Sequence, residues 1–223
     1  MIANNISLLS KKIPSNVQLV AVSKTKPNEL LMEAYDYGQR HFGENKVQEL
    51  VSKHEDLPHD INWHFIGHLQ RNKVKYIASF VHLIHGVESL KLLKEINKQG
   101  LKNNRIINVL LQFHIAEETS KFGLSLLEAH ELLNDEASFG LKNICISGVM
   151  GMATFTDDSD QIRNEFKALT HIYNELRTTF FKNSKEFKVI SMGMSGDYEI
   201  AIEEGSTLVR VGSSIFGARN TVI

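Results

Sequence analysis

The sequence predicts a single-domain (β/α)8 TIM barrel, because eight short apolar runs alternate with helical patterns along its 223 residues. Several runs are almost continuously apolar, which is typical of parallel strands covered on both faces. A doubly wound open sheet is the structural alternative. No Pro-, Gly- or Ser-rich segment marks a linker, so we expect residues 1–223 to form one domain.

The predicted strands are short β-like segments separated by helix-length intervals. They cover residues 18–24, 39–45, 61–67, 81–87, 105–115, 143–152, 187–194 and 206–214. Crossovers between parallel strands are right-handed, so the carboxyl ends of all eight strands meet at one end of the barrel. Barrel proteins carry their functional sites at that end, and residues that close each strand are therefore the candidates.

Helical patterns fill the intervals, and their predicted ends depend on a few residues. The clearest patterns are 28–38, 88–99, the segment starting at Ser125, and 159–182. Asn28, directly after Pro27, is expected to cap the first of these helices. Gly100 is expected to end the second. Ser125 and Glu128 have the spacing of a capping box at the start of the third.

The composition excludes several classes of protein. A net charge of −1 provides no global attraction to nucleic acid or to an anionic membrane. The single cysteine, Cys145, excludes an internal disulfide and a cysteine-rich zinc site. His64 and His68 fall on a strand and in the following loop, and His82 and His85 have no ligand-like spacing, so no metal site is predicted. Neither a signal peptide nor a membrane span is recognisable, which predicts a cytoplasmic protein.

Lys24 lies where the first predicted strand ends, in the segment LVAVSKTKP. It is either a solvated charge that flanks the strand or an amine held at the barrel mouth to form an imine. The second role requires a pKa well below the usual value of about 10.4, which burial or a nearby cation can provide. For Lys26, two residues later, a solvated position is the simpler interpretation.

The last two predicted strands are followed by residues suited to binding an anion. Gly212, Ser213 and Ser214 can present backbone N–H groups and hydroxyls at the start of a short helix. Ser191 and Ser195, from the loop after the seventh strand, are expected in the same region. The loops after strands seven and eight of such barrels commonly bind phosphate. The alternative is a tight turn with solvated serines.

Arg210 lies within the apolar eighth strand and therefore needs a specific partner. That partner is either a carboxylate, such as Glu199 or Glu203, or an atom of a ligand.

Several of these segments together resemble one known family, the pyridoxal phosphate homeostasis proteins. The segments are AVSKTKP, HFGENKVQEL, WHFIGHLQRNK, GVMGMATF and SMGMSGDYEIAIEEGSTLVRVGSSIFGAR, in family order and spacing from about residue 18 to 219. The family is similar to the barrel domain of alanine racemases. The resemblance implies a TIM barrel that holds pyridoxal 5′-phosphate (PLP) as a Schiff base on Lys24.

The resemblance also implies further cofactor-binding residues, namely Asn45, His64, Ser191, Ser195, Arg210, Gly212 and Ser213. Ser191 or Ser195, with Gly212 and Ser213, is implied at the phosphate, and Arg210 beside the pyridine nitrogen. Lys121, in the segment EETSKFG, is a further candidate near the ring.

The implied function is that of a monomeric carrier that buffers PLP and supplies it to apo-enzymes without strong turnover. An arginine beside the ring nitrogen cannot accept a proton, so the ring would be a weak electron sink. The alternative is a PLP-dependent amino-acid racemase with Lys24 as the proton-transferring base. Racemases add catalytic groups from a second domain, which we do not expect in this chain. A phosphosugar enzyme without cofactor would leave Lys24 and Arg210 unexplained.

Overall fold

The computed structural model describes residues 1–117 and 122–218, and in these ranges eight parallel strands form a closed barrel. Each strand pairs with the next in the chain, and β8 pairs with β1 in the register Gln18 to Leu208. This closure confirms the predicted barrel and excludes the open sheet. The strands are β1 (Gln18–Val22), β2 (His41–Glu44), β3 (Asn62–Phe65), β4 (Leu83–Val87), β5 (Ile107–Gln112), β6 (Ile144–Met150), β7 (Val189–Ser191) and β8 (Leu208–Val211).

Helices cover the outside of the barrel. They are α1 (Ile2–Lys12), α2 (Asn28–Asp36), α3 (Val47–Asp56), α4 (Val74–Ile77), α5 (Leu90–Lys102), α6 (Leu126–Asn134), α7 (Glu136–Phe139), α8 (Ser159–Thr179), α9 (Tyr198–Glu203) and α10 (Ser213–Phe216), with a 3-10 turn at Arg71–Lys73. In the described ranges, none of these helices is long and apolar enough to cross a bilayer.

Two predicted helix ends are wrong, and at both a residue far along the chain makes a contact there. Asn28 is the first residue of α2 and not its cap, and its side-chain amide donates to Asp56 at 3.1 Å. α5 continues through Gly100 to Lys102. Gly100 serves close packing instead, because a Cβ there would lie 2.6 Å from the carbonyl oxygen of Asn143.

Two other features of the helices agree with the sequence. The predicted capping box of Ser125 and Glu128 is present at the start of α6. Helix α8 buries Ile162, Phe166 and Leu169, which belong to the apolar stripe that predicted it.

The core has two parts because strand side chains alternate between the faces of the barrel. The larger part lies between strands and helices and includes Phe42, Trp63 and Phe65. The smaller part consists of strand residues that fill the barrel interior, namely Val20, Leu83, Leu110, Met150 and Leu208. Residues two positions from these, such as His85 and Arg210, therefore also point inward.

Candidate functional site

Lys24 lies at the carboxyl-terminal mouth, the rim where the eight strands end, two residues after Val22 closes β1. Its side chain is half-buried. The next residue, Thr25, has a left-handed backbone (φ 63°), and its N–H donates to Glu49 Oε1 at 2.6 Å. This turn fixes the direction in which the chain leaves the strand, so Lys24 is held at the mouth by its backbone.

A buried ion-pair network anchors that turn from below. Lys53 Nζ donates to the Ser23 carbonyl (2.8 Å), to Glu44 Oε1 (2.7 Å) and to Glu49 Oε1 (2.7 Å). The Ser23 hydroxyl donates to Glu44 Oε1 at 2.6 Å. Burial raises the pKa of Glu44, while the Lys53 ammonium opposes that rise. Our sequence reasoning missed this network, although a glutamate directly before Asn45 at a strand end was a usable signal.

The sequence suggested that Lys26 is simply solvated, but its ammonium has partners within the protein. Its ammonium donates to three backbone carbonyls, those of Phe216 (3.1 Å), Gly217 (3.1 Å) and Ala218 (2.9 Å). These carbonyls follow the last turn of α10, where no intrahelical donor is available to them. Lys26 therefore ties the loop after β1 to the loop after β8, a structural role that differs from the position of Lys24.

Ser195, Gly212 and Ser213 lie together at the mouth. The Gly212 N–H donates to Ser195 Oγ at 3.1 Å, and Ser213 begins α10 with its side chain exposed. A Cβ on Gly212 would lie 3.2 Å from the Val22 carbonyl oxygen, so glycine lets β8 approach the end of β1. The hydroxyls and the first N–H groups of α10 are thus placed beside the strand that leads to Lys24.

Ser191 is separated from this group although both serines were considered for the phosphate. It is fully buried at the end of β7, and its hydroxyl lies in the barrel interior between Arg210 and His85. Of the two serines, Ser195 is the one that lies beside Gly212.

The partners of Arg210 are not the carboxylates that the sequence suggested. Its buried guanidinium donates to the carbonyls of Ser191 (2.8 Å) and Gly151 (3.0 Å) and to the Ser191 hydroxyl. Burial lowers the pKa of Arg210 to about 10, and the charge of Asp197 opposes this shift. At neutral pH the side chain therefore remains a cation that only donates hydrogen bonds.

The suggested carboxylates pair elsewhere on the surface. Glu199 accepts from Lys12 at 2.8 Å, and Glu203 accepts from Arg163 at 2.6 Å. Both belong to α9, outside the barrel interior that Arg210 occupies.

A chain of histidines continues from Ser191 through the barrel interior. His85 Nδ1 lies 3.0 Å from Ser191 Oγ, His85 Nε2 lies 2.9 Å from His64 Nδ1, and His64 Nε2 lies 2.9 Å from His41 Nδ1. Burial holds the pKa of His64 and of His85 well below the usual value. Both ring nitrogens of His64, which the resemblance implied at the cofactor, thus contact other histidines.

One arrangement of protons satisfies every hydrogen bond of this chain. Arg210 can only donate, so the Ser191 oxygen accepts from it, and the Ser191 proton can be donated to His85 Nδ1. In that arrangement His85 donates from Nε2 to His64, and His64 donates from Nε2 to His41. Each imidazole is neutral, and each hydrogen bond has one donor and one acceptor.

Two further predicted residues complete the account of the site. Asn45 follows β2 at the mouth and is half-buried, and its backbone packs so closely on Gly67 that a Cβ there would lie 2.4 Å from the Asn45 carbonyl oxygen. Lys121 lies outside the described residues.

Comparison with known proteins gives the family. The alanine racemase N-terminal domain family matches residues 1–220. The pyridoxal phosphate homeostasis protein of Aquifex aeolicus is 39% identical over 207 residues, covering 91% of this chain and 87% of that protein. That of Vibrio alginolyticus is 40% identical over 214 residues, covering 94% and 89%. The chain belongs to the pyridoxal phosphate homeostasis protein family.

A solved structure extends the comparison to three dimensions. PipY of Synechococcus elongatus, solved with PLP bound, is 32% identical and superposes with a TM-score of 0.85 over 97% of this chain and all of PipY. The family resemblance and the barrel fold expected from the sequence are both confirmed.

Proposed function

We propose that this protein binds PLP at the carboxyl-terminal mouth of the barrel, with Lys24 as the covalent attachment point, and serves as a reserve of the cofactor. The observation that carries the proposal is the position of Lys24 at the end of β1, beside the Ser195, Gly212 and Ser213 group. The relatives named for PLP homeostasis and the PLP-bound PipY support the same ligand.

The residues of the mouth fit the chemistry of this cofactor. Its aldehyde supplies an electrophilic carbon that an unprotonated lysine amine attacks. Its phosphate requires several donors close together, which Ser195, Ser213 and the first N–H groups of α10 offer. Lys26 is less suited to the amine role, because its ammonium is bound to three carbonyls and ties two loops together.

Arg210 favours storage over turnover. The guanidinium is fixed by two carbonyls and a hydroxyl, and it offers donors but no acceptor. A pyridine nitrogen that meets such a group stays unprotonated, and the ring is then a poor sink for electrons. We therefore propose a carrier that acts as a monomer in the cytoplasm and supplies the cofactor to apo-enzymes.

The attachment point can be tested with the two lysines of this segment, Lys24 and Lys26. Lys24→Ala and Lys26→Ala are each incubated with PLP, reduced with borohydride and analysed by peptide mass spectrometry. We expect a pyridoxyl group on Lys24 in the wild type and in Lys26→Ala, and none at this segment in Lys24→Ala. A stoichiometric pyridoxyl group on another lysine of the wild type would disprove the assignment.

The carrier role needs a separate test, which is reactivation of a PLP-dependent apo-enzyme by the loaded protein. We expect recovery of activity with the wild type. Failure to reactivate an apo-enzyme that free PLP restores would refute the carrier role but not the binding.

The second candidate function is a racemase, favoured by the match to the alanine racemase N-terminal domain over residues 1–220. Interconversion of D- and L-alanine by the loaded protein tests it. Turnover of about 10 per second, the median for enzymes, would overturn the proposal of a non-catalytic carrier.

A further inference from the structure

Three histidine side chains meet at the amino-terminal end of the barrel, opposite the mouth that carries Lys24. His41 is the first residue of β2, His64 lies in β3, and His82 immediately precedes β4. One ring nitrogen from each lies within 4.8 Å of those of the other two. His41 and His82 are half-buried, so the group is open to solvent on one side, whereas His64 is buried.

The register of the sheet explains why these residues meet. β2, β3 and β4 are neighbouring parallel strands. His41 pairs with Asn62, two residues before His64, and His64 pairs with Leu83, the residue after His82. Each of the three histidines therefore lies within two residues of the register position of the next, a proximity that no spacing along the sequence reveals.

The geometry points to a metal site: we propose that His41, His64 and His82 bind one divalent transition metal ion, Zn²⁺ or an ion of similar preference. Three imidazole nitrogens with an open fourth position are a recognised zinc ligand set. The absence of a carboxylate from this trio disfavours Mg²⁺ and Ca²⁺, which prefer oxygen ligands.

The histidine chain supplies the support that a ligating histidine normally has. A metal on His64 Nε2 requires the His64 proton on Nδ1, where His85 Nε2 lies 2.9 Å away as acceptor. The His85 proton then lies on Nδ1 and is donated to Ser191 Oγ, which also accepts from Arg210, so the Ser191 hydroxyl proton turns away from His85. Each ring keeps one proton, so binding reverses the direction of the chain without releasing a proton.

The open position favours water or a small anion as the fourth ligand. The charge of Arg105 acts on His82, and its guanidinium is fixed by the carbonyls of Ala78 (2.7 Å) and Val81 (2.8 Å). A fixed cation beside the ion favours a negatively charged fourth ligand, such as chloride or hydroxide.

Cobalt is the direct probe, because tetrahedral Co²⁺ has intense visible d–d bands. The full-length, untagged chain, treated with EDTA and dialysed, is titrated with Co²⁺ and then with Zn²⁺. We expect bands that saturate at one Co²⁺ per chain and disappear when Zn²⁺ displaces it. The site is independent of the PLP proposal, and Lys24→Ala should bind Co²⁺ as the wild type does.

His82→Gln removes one ligand that is only half-buried, and His171→Gln is the matched control on the exposed face of α8. We expect the Co²⁺ affinity of His82→Gln to be weaker by about tenfold or more, and that of His171→Gln to be unchanged. Circular dichroism checks that both variants are folded; if His82→Gln is not, His41→Gln takes its place. The proposal would be overturned if Co²⁺ did not bind stoichiometrically or if its bands had octahedral intensity. Equal Co²⁺ affinity in the ligand variant and the control variant would overturn it as well.

Discussion

Replacing Lys53 by methionine should strongly destabilise the barrel and loosen the turn that carries Lys24. Lys53 is only 5% exposed, and its ammonium contacts the carboxylate of Glu44, which is fully buried, at 2.7 Å. Methionine keeps the length of the side chain but leaves the Glu44 carboxylate without its cation. Removal of one partner of a buried pair typically costs about 3–5 kcal/mol. For a chain of this size that corresponds to a decrease in Tm of roughly 10 °C.

The stability lost in Lys53→Met should be partly recoverable, by lower pH or by a second substitution at Glu44. Burial already raises the pKa of Glu44, and loss of Lys53 removes the main opposing interaction, so the pKa rises further. A carboxyl with a raised folded pKa favours the folded state below its unfolded pKa, here near 4.5, and this contribution is lost as the pH rises. The deficit of Lys53→Met should therefore shrink towards pH 4.5. The double variant Glu44→Gln/Lys53→Met should recover part of it at pH 7.

Urea unfolding of wild type, both single variants and the double variant gives the coupling energy directly. Borohydride trapping of PLP then reports on Lys24, whose turn depends on Glu49 and Ser23. A cost below about 1 kcal/mol for Lys53→Met, or a deficit that does not depend on pH, would refute this account of the network.

Three smaller predictions each concern a single residue. Gly148→Ala should prevent stable folding, measured as soluble yield and circular dichroism, because its φ is 153° and a Cβ would lie 1.8 Å from the Val189 carbonyl oxygen; a wild-type melting curve would contradict this. Lys26→Ala should lower stability by about 1–3 kcal/mol in urea unfolding while PLP attachment persists, and loss of attachment would mean that Lys26 does more than bind carbonyls. Glu165→Gln should lose about 2 kcal/mol at pH 7, since four hydrogen bonds from Thr154, Glu117 and Gln161 outweigh burial and lower the pKa of Glu165. In the wild type this stability is fully present above about pH 4.5 and is lost as the pH falls through the lowered pKa of Glu165. The difference in stability between the two proteins should therefore narrow in acid. A difference that stays constant with pH would argue against a charged Glu165.

The alternation of apolar runs was enough to predict the barrel and the end of it that carries Lys24. Strand and helix periods are local properties, and the closing of eight β/α units into a barrel leaves few alternatives. The boundaries were less certain because tertiary packing decides them. Gly100, which reads as a helix end, lies inside α5 because a neighbouring carbonyl approaches it there.

For the site, too, the sequence predicted the positions of residues along the chain but not their contacts. The sequence by itself placed Lys24, Asn45, Ser195, Gly212 and Ser213 at the ends of strands, and the resemblance to a family named the ligand. These inferences depend on position along one strand and on the residues next to it.

Only the tertiary structure decided which side chains meet. Arg210 donates to the carbonyls of Ser191 and Gly151 and not to a carboxylate, and Lys26 donates to three carbonyls. A chain of histidines runs through the barrel interior. The physical reason is that a partner across the barrel is selected by strand register, which relates residues far apart in the chain. His41, His64 and His82 have no ligand spacing in the sequence, yet adjacent parallel strands bring their ring nitrogens within 4.8 Å.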